Sequence, residues 1–179
     1  PLTRWDVEEA VAGAAADGIS EVVQKRMRHG AFIDHADLFD TNFFAVSPAE
    51  TMAMDPQQRF LLEGGYEALH AASLEKAAIM NCVVGVFVGI SANDWADVIR
   101  ATPMAKSVYS ATGSAHSIAS GRISFALGLL GPCVTYDTAC SAALSANHAG
   151  LRAIQMNECV SGLVSGVSLM LLPGMSISF

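Results

Sequence analysis

One segment of the chain puts a reactive side chain where a strand gives way to a helix. In Thr135-Tyr136-Asp137-Thr138-Ala139-Cys140-Ser141-Ala142-Ala143-Leu144 an apolar run stops and a helical pattern starts, with Cys140 at the junction. A thiol at a helix N-terminus faces unsatisfied N–H groups and the positive end of the helix dipole, and both favour the nucleophilic thiolate. The small residues Ala139, Ser141, Ala142 and Ala143 permit a sharp turn and leave room for a substrate carbonyl. The backbone N–H of Cys140 is placed to donate to a developing oxyanion. The same residues also fit a buried, inert thiol, and spacing alone leaves both readings open. No G-x-S-x-G, G-x-G-x-x-G or phosphate-binding loop competes with this segment.

The other reactive side chains read as structural. His148 lies eight residues beyond Cys140, about 12 Å of rise along a helix, too far to act on it directly; it is expected to be a buried structural histidine, and His116 a structural one. Asp137, just before the turn, suits capping loop N–H groups. Cys82, Cys133 and Cys159 fall in or beside strands and are expected to be packing thiols, without a C-x-x-C pair or zinc-finger spacing, so no metal site is expected. Unpaired thiols in a core-rich chain point to a reducing compartment, the cytoplasm or an organelle, and no targeting segment opens the sequence.

Elements must hold the junction in place. Ser47-Pro48-Ala49-Glu50 and Asp55-Pro56-Gln57-Gln58 each read as an N-cap, a proline at the first helical position and a capping-box acid or amide at the third. The second helix is predicted to run to about Ala72 with a stripe of Phe60, Leu61, Leu62, Tyr66 and Leu69, weakened by Gly64-Gly65. Cys82 to Ile90 has no polar alternation, the pattern of a strand covered on both faces. A helix is predicted over 112–127, with Ile118, Arg122, Phe125 and Ala126 at helical spacing, ended by Gly128 to Pro132. Cys133 to Thr138 reads as a strand, Cys140 to Met156 as a helix with Leu144, His148, Leu151 and Ile154 on one stripe, and Val160 to Leu172 as a third strand region. Strands alternating with helices predict an α/β fold with a parallel or mixed sheet and covering helices. Residues 1–80 read as a mostly helical and loop lead-in, and 81–179 as the strand–helix core, all parts of one compact unit. The basic cluster Lys25, Arg26 and Arg28 reads as a solvated face.

Composition narrows the function classes. The chain has 179 residues, 52% of them hydrophobic and 15% charged, which argues against disorder and coiled coil. Its net charge of −7 argues against nucleic acid as a partner, since that affinity rests on Lys and Arg. A membrane span needs about 20 consecutive apolar residues; the stretch from Leu163 to Phe179 is interrupted by serines and glycines and reads as buried strand.

Taken together, FFAVSPAETMAMDPQQRFLLE (43–63), VGVFVGISANDW (84–95), YSATGSAHSIASGRISFALGLLGPCVTYDTACSAAL (109–144) and Ser165-Gly166-Val167-Ser168 resemble β-ketoacyl synthases, specifically the ketosynthase domains of modular type I polyketide synthases. The resemblance runs from Arg4-Trp5-Asp6 to Pro173-Gly174. It implies a thiolase-like fold and makes Cys140 the nucleophile, which takes an acyl chain from the phosphopantetheine arm of an acyl carrier protein. A decarboxylated malonyl extender then attacks that acyl group in a Claisen condensation of polyketide or fatty acid biosynthesis. No bound cofactor is implied. The implied partners are the acyl carrier protein, the rest of the domain with its synthase modules, and a second copy in a homodimer that pairs the strand Cys133 to Thr138 with its twofold mate.

The family's two histidine strings, one HGTGT-like and one GHxxxAAG-like, do not occur around His29, His35, His70, His116 or His148. The chain therefore reads as an incomplete domain, the N-terminal half, expected to be inactive and poorly soluble by itself. Local departures from the family pattern are small: Ser141-Ala142-Ala143 replaces a triple serine and FFAVSPAE replaces FFGISPRE. The alternatives are a non-catalytic ketosynthase-like scaffold or dimerisation element, and a thiolase or hydrolase of the same fold; the DTACS and MDPQQR strings favour condensation on carrier-bound chains.

Overall fold

The structure, a computed structural model, describes residues 5–31 and 33–178. Arg4, where the resemblance begins, and Phe179, at the apolar ending, lie outside the described residues. In chain order the elements are α1 (Val7–Ala16), α2 (Glu21–Arg26), α3 (Pro48–Ala53), α4 (Pro56–Ala71), α5 (Lys76–Ile79), β1 (Val84–Ile90), α6 (Asp94–Arg100), α7 (Ser110–Ser114), α8 (His116–Leu127), β2 (Cys133–Tyr136), α9 (Ala142–Gln155), β3 (Ser161–Val167) and α10 (Gly174–Ser178). Single 3-10 turns lie at Pro103–Lys106 and Ala139–Ser141.

The chain divides into two compact units, one made of residues up to Ala36 and from Met170 onward, the other of residues 37–169. In the first, Asp6 caps α1 by accepting the N–H groups of Glu8 and Glu9 at 2.9 and 3.0 Å. Val11, Ala14 and Met27 make a small core against which Ile177 of α10 packs. The stretch after Val167, expected as strand to Leu172, thus ends in a short helix. Lys25, Arg26 and Arg28 are exposed as expected, and Arg28 pairs with Glu8.

The second unit is built on a three-stranded parallel sheet in the order β2-β1-β3. Central β1 is buried at every residue, as its unbroken apolar run predicts. Its two faces differ. Val84, Val86, Val88 and Ile90 join Leu61, Leu62 and Leu69 of α4 and Ile123 and Leu127 of α8 in the main core, where each fully buried aliphatic side chain contributes about 1.5–3 kcal/mol. Phe87 points the other way, into a smaller cluster with Ala146 and Ala153 of α9 and Cys159. Helix α4, inside the lead-in, therefore belongs with the strand–helix core.

Both predicted helix starts are present: Ser47 accepts the Glu50 N–H at 3.2 Å and Asp55 the Gln57 N–H at 2.8 Å, each with proline at the first turn. The capping boxes are not closed. Glu50 reaches Arg122 instead, and the Gln58 amide donates to the carbonyls of Thr112, Gly113 and Ala115, because tertiary partners outcompete the local cap. Gly65 lets α4 lie close to Leu163 and Ile123.

Four expectations need correction. The helix over 112–127 is two, α7 and α8, broken at Ala115, whose ψ of 124° is extended. The buried face of α8 is Ala119, Ser120, Ile123, Ser124 and Leu127, whereas Phe125 is 90% exposed. In α9 the stripe of Leu144, His148, Leu151 and Ile154 points outward, and Ala142, Ala146, Gly150 and Ala153 are buried instead. Tight contact with the sheet selects small residues there, so the larger apolar ones are displaced to the opposite side. Finally, β2 is an edge strand, which leaves Cys133 exposed rather than packed; Cys159 is buried and Cys82 partly so.

Candidate active site

All three strands run parallel, so their carboxyl ends lie together, the place where open α/β sheets build their sites. After β2 the chain turns through residues 137–141. Asp137 accepts the Ala139 N–H at 3.4 Å, as its position before the turn predicts. The Ser141 hydroxyl donates to the Thr138 carbonyl at 2.7 Å, and the Thr138 and Ser145 hydroxyls lie 3.0 Å apart. Between these ties Ala139 has φ of 52°, a left-handed conformation that costs a residue with a Cβ about 1–2 kcal/mol. Such strain persists where its surroundings over-determine it, and the hydroxyl bonds on both sides do so here.

Cys140 stands in the middle of this turn, exposed, ahead of α9 rather than within it. Ser141 is the N-cap of α9 but makes no cap bond, since its hydroxyl is held by Thr138. The first N–H groups of a 14-residue helix are therefore left without a side-chain cap beside the thiol.

The turn sits on the sheet because two strand residues have no side chain. A Cβ at Gly89 would lie 2.4 Å from the backbone of Ala142 and Ala143, and one at Gly166 would lie 2.7 Å from the Ala143 Cβ. Ala142 and Ala143, read from sequence as room for a substrate, thus also serve close packing. A cleft of about 290 Å³ opens at Cys140 between Ser91, just past β1, and Ser168, just past β3.

A buried polar layer joins this region to α4. Gln57 is fully buried; its Nε2 donates to the Ala92 carbonyl at 2.7 Å and to Asp55 Oδ2 at 3.2 Å, and its Oε1 accepts the Leu169 N–H at 3.1 Å. His116 places its Nε2 3.0 Å from the same Ala92 carbonyl, the structural role expected of it. Burial holds the Asp55 carboxyl above its ordinary value, against the opposing effects of its bonds from Gln57 and the nearby His116 and Arg59. Burial likewise lowers Arg59, whose guanidinium donates to the carbonyls of Met54, Thr51 and Asp37.

Cys140 lines the cleft, and so do Ala139, Ala142 and Ala143, three of the small residues expected to leave room there; His148 is exposed on α9 and corrects the expectation of a buried histidine. Ser91, Ser168 and Gln57 occur within the family-like strings but carry no site role in the sequence reading. The signal available was position: Ser91 and Ser168 directly follow the ends of parallel strands. Among the described residues no group of three or more His, Cys, Asp or Glu side chains could hold a metal ion, and no helix is long and apolar enough to cross a membrane.

The chain is 45% identical over 152 residues to polyketide synthase GfsB of Streptomyces halstedii, covering 85% of this chain and 3% of that protein. It is 39% identical over 176 residues to the mycocerosic acid synthase-like polyketide synthase of Mycolicibacterium smegmatis, covering 97% of this chain and 8% of that one. Among solved structures, the ketosynthase from module 6 of the bacillaene synthase of Bacillus subtilis 168 superposes with a TM-score of 0.79 at 31% identity, over 99% of this chain and 28% of that chain. The oxazolomycin ketosynthase domain OzmH KS7 of Streptomyces albus JA3453 gives 0.73 at 28% identity, over 83% of this chain and 26% of its own. The fold is therefore that of the ketosynthases, thiolase-like, and the chain spans about a quarter of the length of those solved chains. Residues 1–179 match the family described as beta-ketoacyl synthase, N-terminal domain, and with the DTACS turn and parallel sheet in place the chain belongs to the β-ketoacyl synthases of the polyketide synthase type.

Proposed function

We propose that this chain carries the nucleophile of a β-ketoacyl-[acyl carrier protein] synthase site, and that Cys140 accepts the growing acyl chain. The Cys140 Sγ attacks the acyl thioester on the phosphopantetheine arm of an acyl carrier protein. The Sγ–acyl bond forms, the bond to the phosphopantetheine sulfur breaks, and the thiol proton leaves with that sulfur. The backbone N–H of Cys140 donates to the oxyanion on the way. A malonyl unit, also carrier-bound, then loses CO2, its carbanion forms a C–C bond to the acyl carbon, and Cys140 is released. Family membership supports the reaction type. The observation that carries the role of Cys140 is its exposed thiol at the mouth of the cleft, in a strained turn just before α9.

The partners under this reading are the acyl carrier protein, the rest of the ketosynthase domain with its modules, and a second copy joined through β2; the compartment is the cytoplasm. The sequence contains neither family histidine string, so the segment alone is expected to be inactive. The test uses a complete ketosynthase domain carrying this segment, incubated with an acyl-pantetheine and weighed intact. The acyl mass is expected on wild type and absent from Cys140→Ala; a Cys140→Ala protein that still gains the mass removes Cys140 from the mechanism. If the folded wild-type domain gains none, the exposed β2 edge supports the second reading, a non-catalytic dimerisation element.

A further inference from the structure

We infer that Gln57 is a positioning residue for the Cys140 cleft, setting the distance between its two walls; this rests on the acyl-transfer reading above. The walls are the chain segments leaving β1 and β3, represented in the cleft by Ser91 and Ser168. The next residue in each segment, Ala92 and Leu169, is bound by the same side chain. Gln57 donates to the Ala92 carbonyl at 2.7 Å and accepts the Leu169 N–H at 3.1 Å. A primary amide offers a donor and an acceptor from one planar group, so it can join a carbonyl on one segment to an N–H on the other. Its second N–H goes to Asp55 Oδ2 at 3.2 Å, leaving the amide with no free rotation to lose one partner for another.

The clamp is also rigid at its root. Gln57 lies in the first turn of α4, where Asp55 accepts its backbone N–H at 2.8 Å. The side chain is completely buried, so water cannot substitute for either bond. His116 holds the same Ala92 carbonyl from α8 at 3.0 Å, which fixes the β1 wall from a second direction, while Gln57 is bonded to both walls. The nucleophile itself depends on a different set of bonds, those of Thr138, Ser141 and Ser145. Loss of Gln57 is therefore expected to change the seat of the acyl group and leave the thiol in place. Misplacement of a bound group by about 1 Å is enough to slow a reaction about 100-fold.

The test compares two reagents on a complete ketosynthase domain carrying Gln57→Met, which keeps length and volume but makes neither bond, and Gln57→Asn, which keeps the amide but is one methylene too short to reach both walls. Alkylation of Cys140 by iodoacetamide, a small reagent needing no acyl seat, is expected within twofold of wild type. Acylation of Cys140 by acyl-pantetheine is expected to slow at least tenfold in both variants. Acylation within twofold of wild type in either folded variant overturns the inference, as does an equal loss of both reactions. If neither variant folds, Gln57 is a residue of the fold alone and the inference falls. A wild-type domain that alkylates but never acylates removes the acyl-transfer reading itself, and this inference with it.

Discussion

At the scale of single residues, the buried carboxyl of Asp55 makes a pH-dependent contribution whose sign can be worked out. Desolvation raises it above its ordinary 3.8, outweighing the two bonds from Gln57 and the attraction of His116 and Arg59. The folded state thus keeps the Asp55 proton to higher pH than the unfolded chain does. This favours folding fully below 3.8 and is lost as pH rises through the elevated folded value. Asp55→Asn removes the titration while retaining a side-chain oxygen for the N-cap. Melting temperatures measured across that acidic window should fall with rising pH more steeply in wild type than in the variant, whatever their absolute values. Parallel curves would show that Asp55 ionises without cost. The group matters for the site because Asp55 also receives the second N–H of Gln57.

At the scale of elements, the placement of Cys140 depends on how closely α9 lies on the sheet. The contact is backbone to backbone: at Gly89 a methyl group would sit 2.4 Å from atoms of Ala142 and Ala143, and no side-chain rotation relieves that. Gly89→Ala must push the start of α9 off β1 and carry the Ala139–Ser141 turn with it. The expected cost is about 3 kcal/mol of stability, the upper range for overpacking, together with loss of Cys140 acylation. Urea unfolding and intact mass on the same sample check both. A variant with stability and acylation unchanged would mean that α9 can shift without disturbing Cys140. Gly64→Ala, where an added Cβ meets nothing within 4 Å, is the control and should be neutral or slightly stabilising, because alanine is the better helix former.

At the scale of the whole molecule, the sheet has an open edge. β2 pairs with β1 on one side only, and Cys133 and Val134 are exposed along it. An exposed edge strand presents unpaired N–H and C=O groups that invite another strand. Under the proposed homodimer that strand is β2 of a second copy. Val134→Glu in the complete domain should shift the species seen by sedimentation velocity from dimer to monomer, since a buried unpaired carboxylate is disfavoured at a strand–strand contact. A dimer that survives both Val134→Glu and Cys133→Glu would place the interface elsewhere.

The sequence by itself determined what local chemistry can determine. The caps at Ser47 and Asp55 followed from hydroxyl, carboxylate and proline at fixed spacing, which act within one turn. The two-sided burial of β1 followed from an unbroken apolar run, since no alternation means no solvent face. The candidate nucleophile followed from a cysteine between a strand and a helix, made specific by the DTACS and MDPQQR strings. Only the tertiary structure decided which side of each helix is buried. Leu144, Leu151 and Ile154 have the right spacing for a core stripe, yet α9 lies so close on the sheet, against Gly89 at its start and Phe87 and Val164 further along, that the small residues Ala142, Ala146, Gly150 and Ala153 are the buried ones. Only the structure could bring Gln57, Ala92 and Leu169 together, because their contacts join residues far apart in the chain. No periodicity encodes that, and hydrogen bonds across the fold displaced the local capping boxes for the same reason.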